Sequence, residues 1–226
     1  YISLNTDNYV NLFWALKMIR LTDNEKIDNY LRITECDIYE NNYENDIQWH
    51  KIRTAAREKL KRIQSDFPTT IQFVMPIKLG RYDFEAQSFA LDDASKLYKT
   101  RRLPIMAPIR ESQSFCGRRF SYLEEYTSRL LLSLTRPIHL VSVNISPEVA
   151  ETLLQDEKFI ESERELYLKF YVQLYKYIGT GYHNNREKFN YISARVDKMA
   201  LYQDPELMHK IKEIQDTLKT EEKNPT

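Results

Sequence analysis

The sequence is poor in the residues that announce a mechanism. It has four glycines in 226 residues, at positions 80, 117, 179 and 181, and they never form the cluster that a phosphate loop or a dinucleotide-binding turn requires. No nucleotide cofactor is expected on that ground, and no other cofactor has a motif in the chain. The two cysteines, Cys36 and Cys116, are too few for a disulfide framework and show neither metal-ligand nor redox spacing. The four histidines, His50, His139, His183 and His209, are scattered, with no HExxH pair, so no metal centre is expected. There is no GxSxG nucleophile elbow. Charge of one sign is lacking too: 33 basic and 33 acidic side chains cancel, which removes the whole-chain positive field of a dedicated nucleic-acid binder. Apolar runs are broken by charge well short of the roughly 20 residues that a membrane-spanning helix needs.

What the chain does have is material for a core. Hydrophobic residues make up 42%, with 16 Tyr, 10 Phe and 2 Trp, enough burial to offset chain entropy and so to exclude disorder. The chain opens at Tyr1 rather than Met, and together with its two cysteines this leans toward an exported mature chain, periplasmic or secreted, with one bridge.

Residues 1 to 66 read as helical. Asn5, Thr6 and Asp7 offer capping oxygens ahead of Val10, Phe13, Trp14 and Lys17, and Trp49, Ile52, Ala56, Leu60 and Ile63 recur at helical spacing. The Asn-, Asp-, Glu- and Tyr-rich tract from Glu35 to Asp46 between them reads as a surface connection. A sheet begins at Ile71 to Met75, where Pro76 argues for an edge position or an early bulge. Gly80 separates that run from Tyr82 to Leu91, and a hairpin is expected there. Pro104 and Pro108 bracket a short strand or extended loop. Leu123, Tyr126, Leu130 and Leu134 give a helical stripe that Pro137 stops. Ile138 to Ile145 is a strand that runs into Ser146-Pro147-Glu148, an N-cap, an N1 proline and an early acid.

Leu166, Leu168, Phe170, Val172, Leu174 and Ile178 share one parity, with a Tyr-rich set on the other, which predicts a long strand. Gly179-Thr180-Gly181 and His183-Asn184-Asn185 are turn chemistry, after which Phe189 to Tyr202 returns as the antiparallel partner. Asp204-Pro205-Glu206 heads a last helix through Leu207, Ile211, Ile214 and Leu218. The expected class is α+β: a helical N-terminal region packed on a mostly antiparallel sheet, with a long C-terminal hairpin and a terminal helix, in a single domain over 1 to 226.

Four constellations are weighed for chemistry. Lys96, Lys99, Arg101, Arg102, Arg110, Arg118 and Arg119 stand against one acid, Glu111, with aromatics interleaved, and Arg101, Arg102, Arg118 and Arg119 are the candidate anion-binding residues. The plainer reading of that run is a solvated basic loop. Lys51 to Arg62 decorate a helix whose bases spread over several faces, so its apolar stripe reads as core packing rather than a membrane-surface helix. Asp83 and Glu85 would share a strand face at a spacing compatible with paired-carboxylate hydrolysis, against ordinary exposed strand acids. Cys116, among arginines that lower a thiol pKa, is the best nucleophile candidate, against a buried thiol or a bridge to Cys36. That bridge would bring the acidic tract around Cys36 to the basic tract around Cys116. The expected function is a non-enzymatic binding or assembly domain with a protein partner, a second copy or an anionic ligand; a hydrolase or thiol enzyme is the alternative.

Overall fold

A computed structural model describes residues 1–183 and 187–214. After a two-residue strand, β1 (Ile2–Ser3), helix α1 (Thr6–Ala15) starts where Asn5 Oδ1 accepts the Asn8 N–H at 2.8 Å, and it buries Tyr9, Val10, Leu12, Phe13 and Trp14. The same device opens α2 (Asn24–Thr34), capped by Asp23, and α4 (Asp46–Asp66), capped by Asn45. Between them the Glu35 to Asp46 tract is not a plain connection. It forms a short helix, α3 (Cys36–Asn42), because Tyr39 packs against Trp49 and supplies the buried contact that local composition does not advertise. The α4 stripe is core: Trp49, Ala56 and Leu60 are buried.

Strand β2 (Thr70–Asp83) passes straight through Pro76 and Gly80. It is internal in the sheet rather than at an edge. Pro76 is tolerated beside β3 (Ser88–Leu91) because that pairing covers only Leu79 to Asp83. The hairpin turn falls at residues 84 to 87, where Asp83 Oδ1 accepts the N–H groups of Glu85 and Ala86, both at 2.9 Å. Next come β4 (Leu97–Met106), which contains Pro104, and the small hairpin β5 (Ser114–Phe115) and β6 (Arg118–Arg119). Cys116 and Gly117, both at positive φ (43° and 75°), form its two-residue turn.

The helix read through Leu123 to Leu134 is instead a 3-10 turn (Phe120–Tyr122) followed by strand β7 (Arg129–Leu140). Leu130, Leu132, Leu134, Ile138 and Leu140 are buried at a period of two, and the Leu130/Leu134 spacing that suggested a helix also fits alternate strand positions. The run to Ile145 breaks at Val141, whose carbonyl accepts the Leu91 N–H, and resumes as β8 (Ser142–Asn144). Helix α5 (Pro147–Gln155) follows Ser146 with Pro147 in its first turn, and Asp156 caps α6 (Glu157–Glu161).

The long hairpin is present: β9 (Glu165–His183) and β10 (Glu187–Tyr202) are neighbours in the sheet. Gly179-Thr180-Gly181 lies inside β9 rather than in the turn, and the expected turn residues Asn184 and Asn185 lie outside the described residues. The expected terminal helix is not formed over its described part. Leu207 adopts φ 61°, and β11 (Lys210–Ile214) pairs antiparallel with β10, while residues 215 to 218 lie outside the described residues.

Among the described residues the main sheet has nine strands, ordered β4-β7-β10-β9-β2-β3-β8, with β1 on β2 and β11 on β10, and the fold is α+β. The chain forms two compact units, each built from separated segments. Unit 1 comprises residues 1–71, 102–133 and 173–194; unit 2 comprises 72–101, 134–172 and 195 onward.

Candidate functional site

In unit 1, the turn after β6, the start of β7 and the distal halves of β9 and β10 enclose a cavity of about 730 Å³. Its wall includes Glu111, Glu124, Arg129 and Lys188, charges of both signs, together with Phe120, Tyr126 and Tyr182. The core holds the floor in place. The Tyr9 hydroxyl donates to the Thr127 carbonyl at 2.7 Å, and Trp14 Nε1 donates to the Tyr126 hydroxyl at 3.1 Å. Burial pushes both phenols far above their ordinary pKa, so they act as neutral hydrogen-bonding groups. A second layer runs from Thr180 Oγ1 to Asn190 Oδ1 (2.8 Å), from Asn190 Nδ2 to Thr127 Oγ1 (3.2 Å), and from Thr127 Oγ1 to the Arg129 carbonyl (2.9 Å). At the rim Ser128 Oγ donates to Glu111 at 2.7 Å and Lys188 Nζ donates to the Glu124 carbonyl at 2.9 Å.

Strand β9 explains how Tyr182 reaches this cavity. Its even positions are buried from Leu166 through Leu174 and then turn exposed at Lys176, Ile178, Thr180 and Tyr182. The face that builds the core therefore continues beyond it as open surface carrying apolar groups, with Ile178 55% and Tyr182 69% exposed. Sequence reasoning pointed to this Tyr-rich strand but missed Glu111, Arg129 and Lys188. They lie on three segments with no common spacing, and only the fold collects them.

The structure disperses the other candidates. Cys36 and Cys116 are joined by a disulfide with Cα atoms 5.6 Å apart, which removes Cys116 as a nucleophile because neither sulfur carries a thiol. Glu40 lies near the two sulfurs, but bridged sulfurs are not thiolate ligands, so this cluster is no metal centre. The bridge joins α3 to the β5–β6 turn, and Arg32 locks it by donating to the Cys116 carbonyl (2.8 Å) and to the Tyr39 hydroxyl. Arg101 and Arg102 are consecutive on β4, and Arg118 and Arg119 on β6, so within each pair the two side chains alternate between the faces of their strand. Arg118 is engaged with the Tyr122 carbonyl at 3.1 Å. Asp83 ends β2 whereas Glu85 sits in the turn, so the two do not share a strand face. One Asp83 oxygen is committed to the turn, and both residues line an open hollow of about 660 Å³ beside the exposed ring of Phe84.

Unit 2 holds a further cavity of about 550 Å³, lined among others by Asp156, Ser162, Glu165, Asp204 and His209. His209 Nδ1 lies 3.1 Å from Asp204 Oδ2, and the Met208 N–H, with the His209 N–H, holds the Asp204 carboxyl below its ordinary range. His209 and Asp204 form an exposed imidazole–carboxylate pair, and Ser162 Oγ donates to the Phe159 carbonyl (3.0 Å) and accepts the Glu165 N–H (3.2 Å). Its proton faces the backbone, and no activated nucleophile results.

A small α+β protein with a charged, preformed cavity and its cysteines in a structural bridge is the class that these observations define. Residues 23–156, more than half of the chain, match the model of a family described as a domain of unknown function (DUF4852), and the chain belongs to that family. No curated protein and no solved structure matches the chain. Among the described residues no helix is long and apolar enough to cross a membrane.

Proposed function

We propose that the protein is a binding domain, and that its binding site is the unit 1 cavity. One observation carries this reading: a cavity of about 730 Å³ walled by charges of both signs and by the exposed ring of Tyr182. That volume lies in the range of sites for small polar ligands or short peptide segments. The polar groups of its wall are held by hydrogen bonds to fixed partners, an arrangement that orients a ligand without the reorganisation that weakens binding. Glu111 is tied to Ser128 and Lys188 to a backbone carbonyl, an arrangement that supports recognition over catalysis.

The test is comparative. Wild type and a Tyr182→Ala/Lys188→Ala variant are recovered from the native host under mild conditions and compared by native mass spectrometry. A small molecule or partner bound to the wild type and missing from the variant is the expected result. The recovered species, added to a Trp49→Phe background, should change the emission of Trp14, which touches the cavity floor through Tyr126. Identical spectra for the two proteins would overturn the assignment.

A further inference from the structure

We infer that reduction of the Cys36–Cys116 bridge turns the same junction of unit 1 into a zinc site, with both thiolates and the Glu40 carboxylate as ligands. Cys36 and Glu40 are four residues apart on α3, so their side chains lie on one face of the helix. Cys116 meets that face from the two-residue turn of the β5–β6 hairpin, its Cα 5.6 Å from that of Cys36. A Glu40 carboxylate oxygen and the two sulfurs all lie within 4.8 Å of one another. Tetrahedral zinc bonds sulfur at about 2.3 Å and oxygen at about 2.0 Å, which sets its ligand atoms about 3.5 to 3.8 Å apart. Glu40 is exposed, so its side chain is free to close the remaining gap while the sulfurs part as their bond breaks. Bridged sulfurs ligate nothing, and the covalent and metal-bound states therefore exclude one another. No spacing in the sequence marks this set, because its third ligand stands 80 positions from Cys36.

The surroundings suit a cation held by thiolates. Among the described residues the Glu40 carboxylate has no hydrogen-bond or ion-pair partner, whereas the nearby Glu35 is committed to Lys59 at 2.9 Å. Two thiolates and a carboxylate carry three negative charges, zinc leaves one, and the Arg32 guanidinium, 2.8 Å from the Cys116 carbonyl, answers it. The bonds of Arg32 to that carbonyl and to the Tyr39 hydroxyl do not involve the sulfurs, so they keep the hairpin turn beside α3 when the bridge opens. Both cysteines are half-buried, within reach of a dithiol. In that exchange the dithiol gives two electrons and two protons to the sulfurs and leaves as its own disulfide. Zinc then displaces both thiol protons to solvent and forms two Zn–S bonds and one Zn–O bond. Thiolates disfavour magnesium and calcium, and the carboxylate disfavours copper(I). Three protein ligands leave the fourth position for water. The metal thus replaces the covalent tie between α3 and the hairpin.

The test uses the full chain, reduced with a phosphine and then freed of it without oxygen. It is titrated with cadmium, whose thiolate bonds absorb in the ultraviolet, and with zinc against a chromophoric chelator. One ion per chain is expected, with the thiolate band present. The bridged protein should show no band and leave the chelator its zinc. Glu40→Gln keeps both sulfurs and should weaken zinc binding at least about tenfold. Asp37→Asn removes the same charge from the same helix and should bind as the wild type does. The emission of Trp14 and Trp49, both buried in unit 1, follows folding throughout. Where reduction alone loosens the unit, zinc should restore the native emission, and Glu40→Gln should need more zinc to do so. Zinc binding by the bridged protein equal to that of the reduced one overturns the site. So do equal affinities of Glu40→Gln and wild type, or one ion shared by two chains.

Discussion

Removing the Cys36–Cys116 bridge, by the double substitution Cys36→Ser/Cys116→Ser, is expected to be the most damaging change in unit 1 that leaves its core side chains intact. The bridge closes a loop with a sequence separation of 80. Loop-closure entropy for that length stabilises the folded state by about 4.5 kcal/mol. The bonds of Arg32 to the Cys116 carbonyl and the Tyr39 hydroxyl persist without the sulfurs, so they limit local fraying but leave the unfolded-state term untouched. Both tryptophans, Trp14 and Trp49, are buried in unit 1, so urea unfolding followed by their emission reads this unit directly. With a denaturant slope of about 2 kcal/mol/M, the midpoint should fall by about 2 M. Wild type treated with reductant should give the same curve as the double variant. Alkylation of the unfolded wild type should add no groups before reduction and two after. A midpoint shift smaller than about 0.5 M, or free thiols before reduction, would refute the reasoning.

Asp28→Ala should destabilise unit 1 by about 3 kcal/mol in the same urea assay, because it strands Arg53 and the indole N–H of Trp49, which both bond the buried carboxylate; a loss below about 1 kcal/mol would show that water replaces it. Glu125 gives a pH dependence of defined sign. Burial pushes its pKa above the ordinary 4.5, against the opposing pull of a backbone N–H and of Lys26 at 3.2 Å. A raised carboxyl pKa means that its stabilisation is complete below 4.5 and is lost as pH rises through the folded-state value. Glu125→Gln should therefore show a smaller fall in stability over that rise than the wild type, measured by thermal melts across the pH series, and parallel curves would contradict the assignment.

Local chemistry was legible wherever one residue decides the geometry. Asn5 caps α1, Pro147 opens α5, and the alternation from Leu166 to Leu174 makes β9 a strand. It failed where one spacing serves two structures. Leu130 and Leu134 are four apart, which suits a helix face and equally suits alternate residues of β7. At Asp204 the cap-and-proline pattern was real, but the carboxylate accepts the N–H groups of Met208 and His209 rather than those of a first helical turn, and β10 takes the following segment as a strand. Gly80 and Gly181 looked like turns, yet both lie within strands. A Cβ at Gly181 would come within 2.8 Å of the Tyr191 ring, so this glycine answers to packing rather than to a turn.

By itself, the sequence determined the fold class of the protein. Periodicity and capping residues are short-range properties, and they suffice to specify an α+β chain. Only the tertiary structure decided which distant residues meet. It joined Cys36 to Cys116 and so turned a candidate nucleophile into a brace, and it collected Glu111, Arg129, Tyr182 and Lys188 around one cavity. Strand register and loop closure act between residues far apart in the chain, and no local pattern of side chains encodes them.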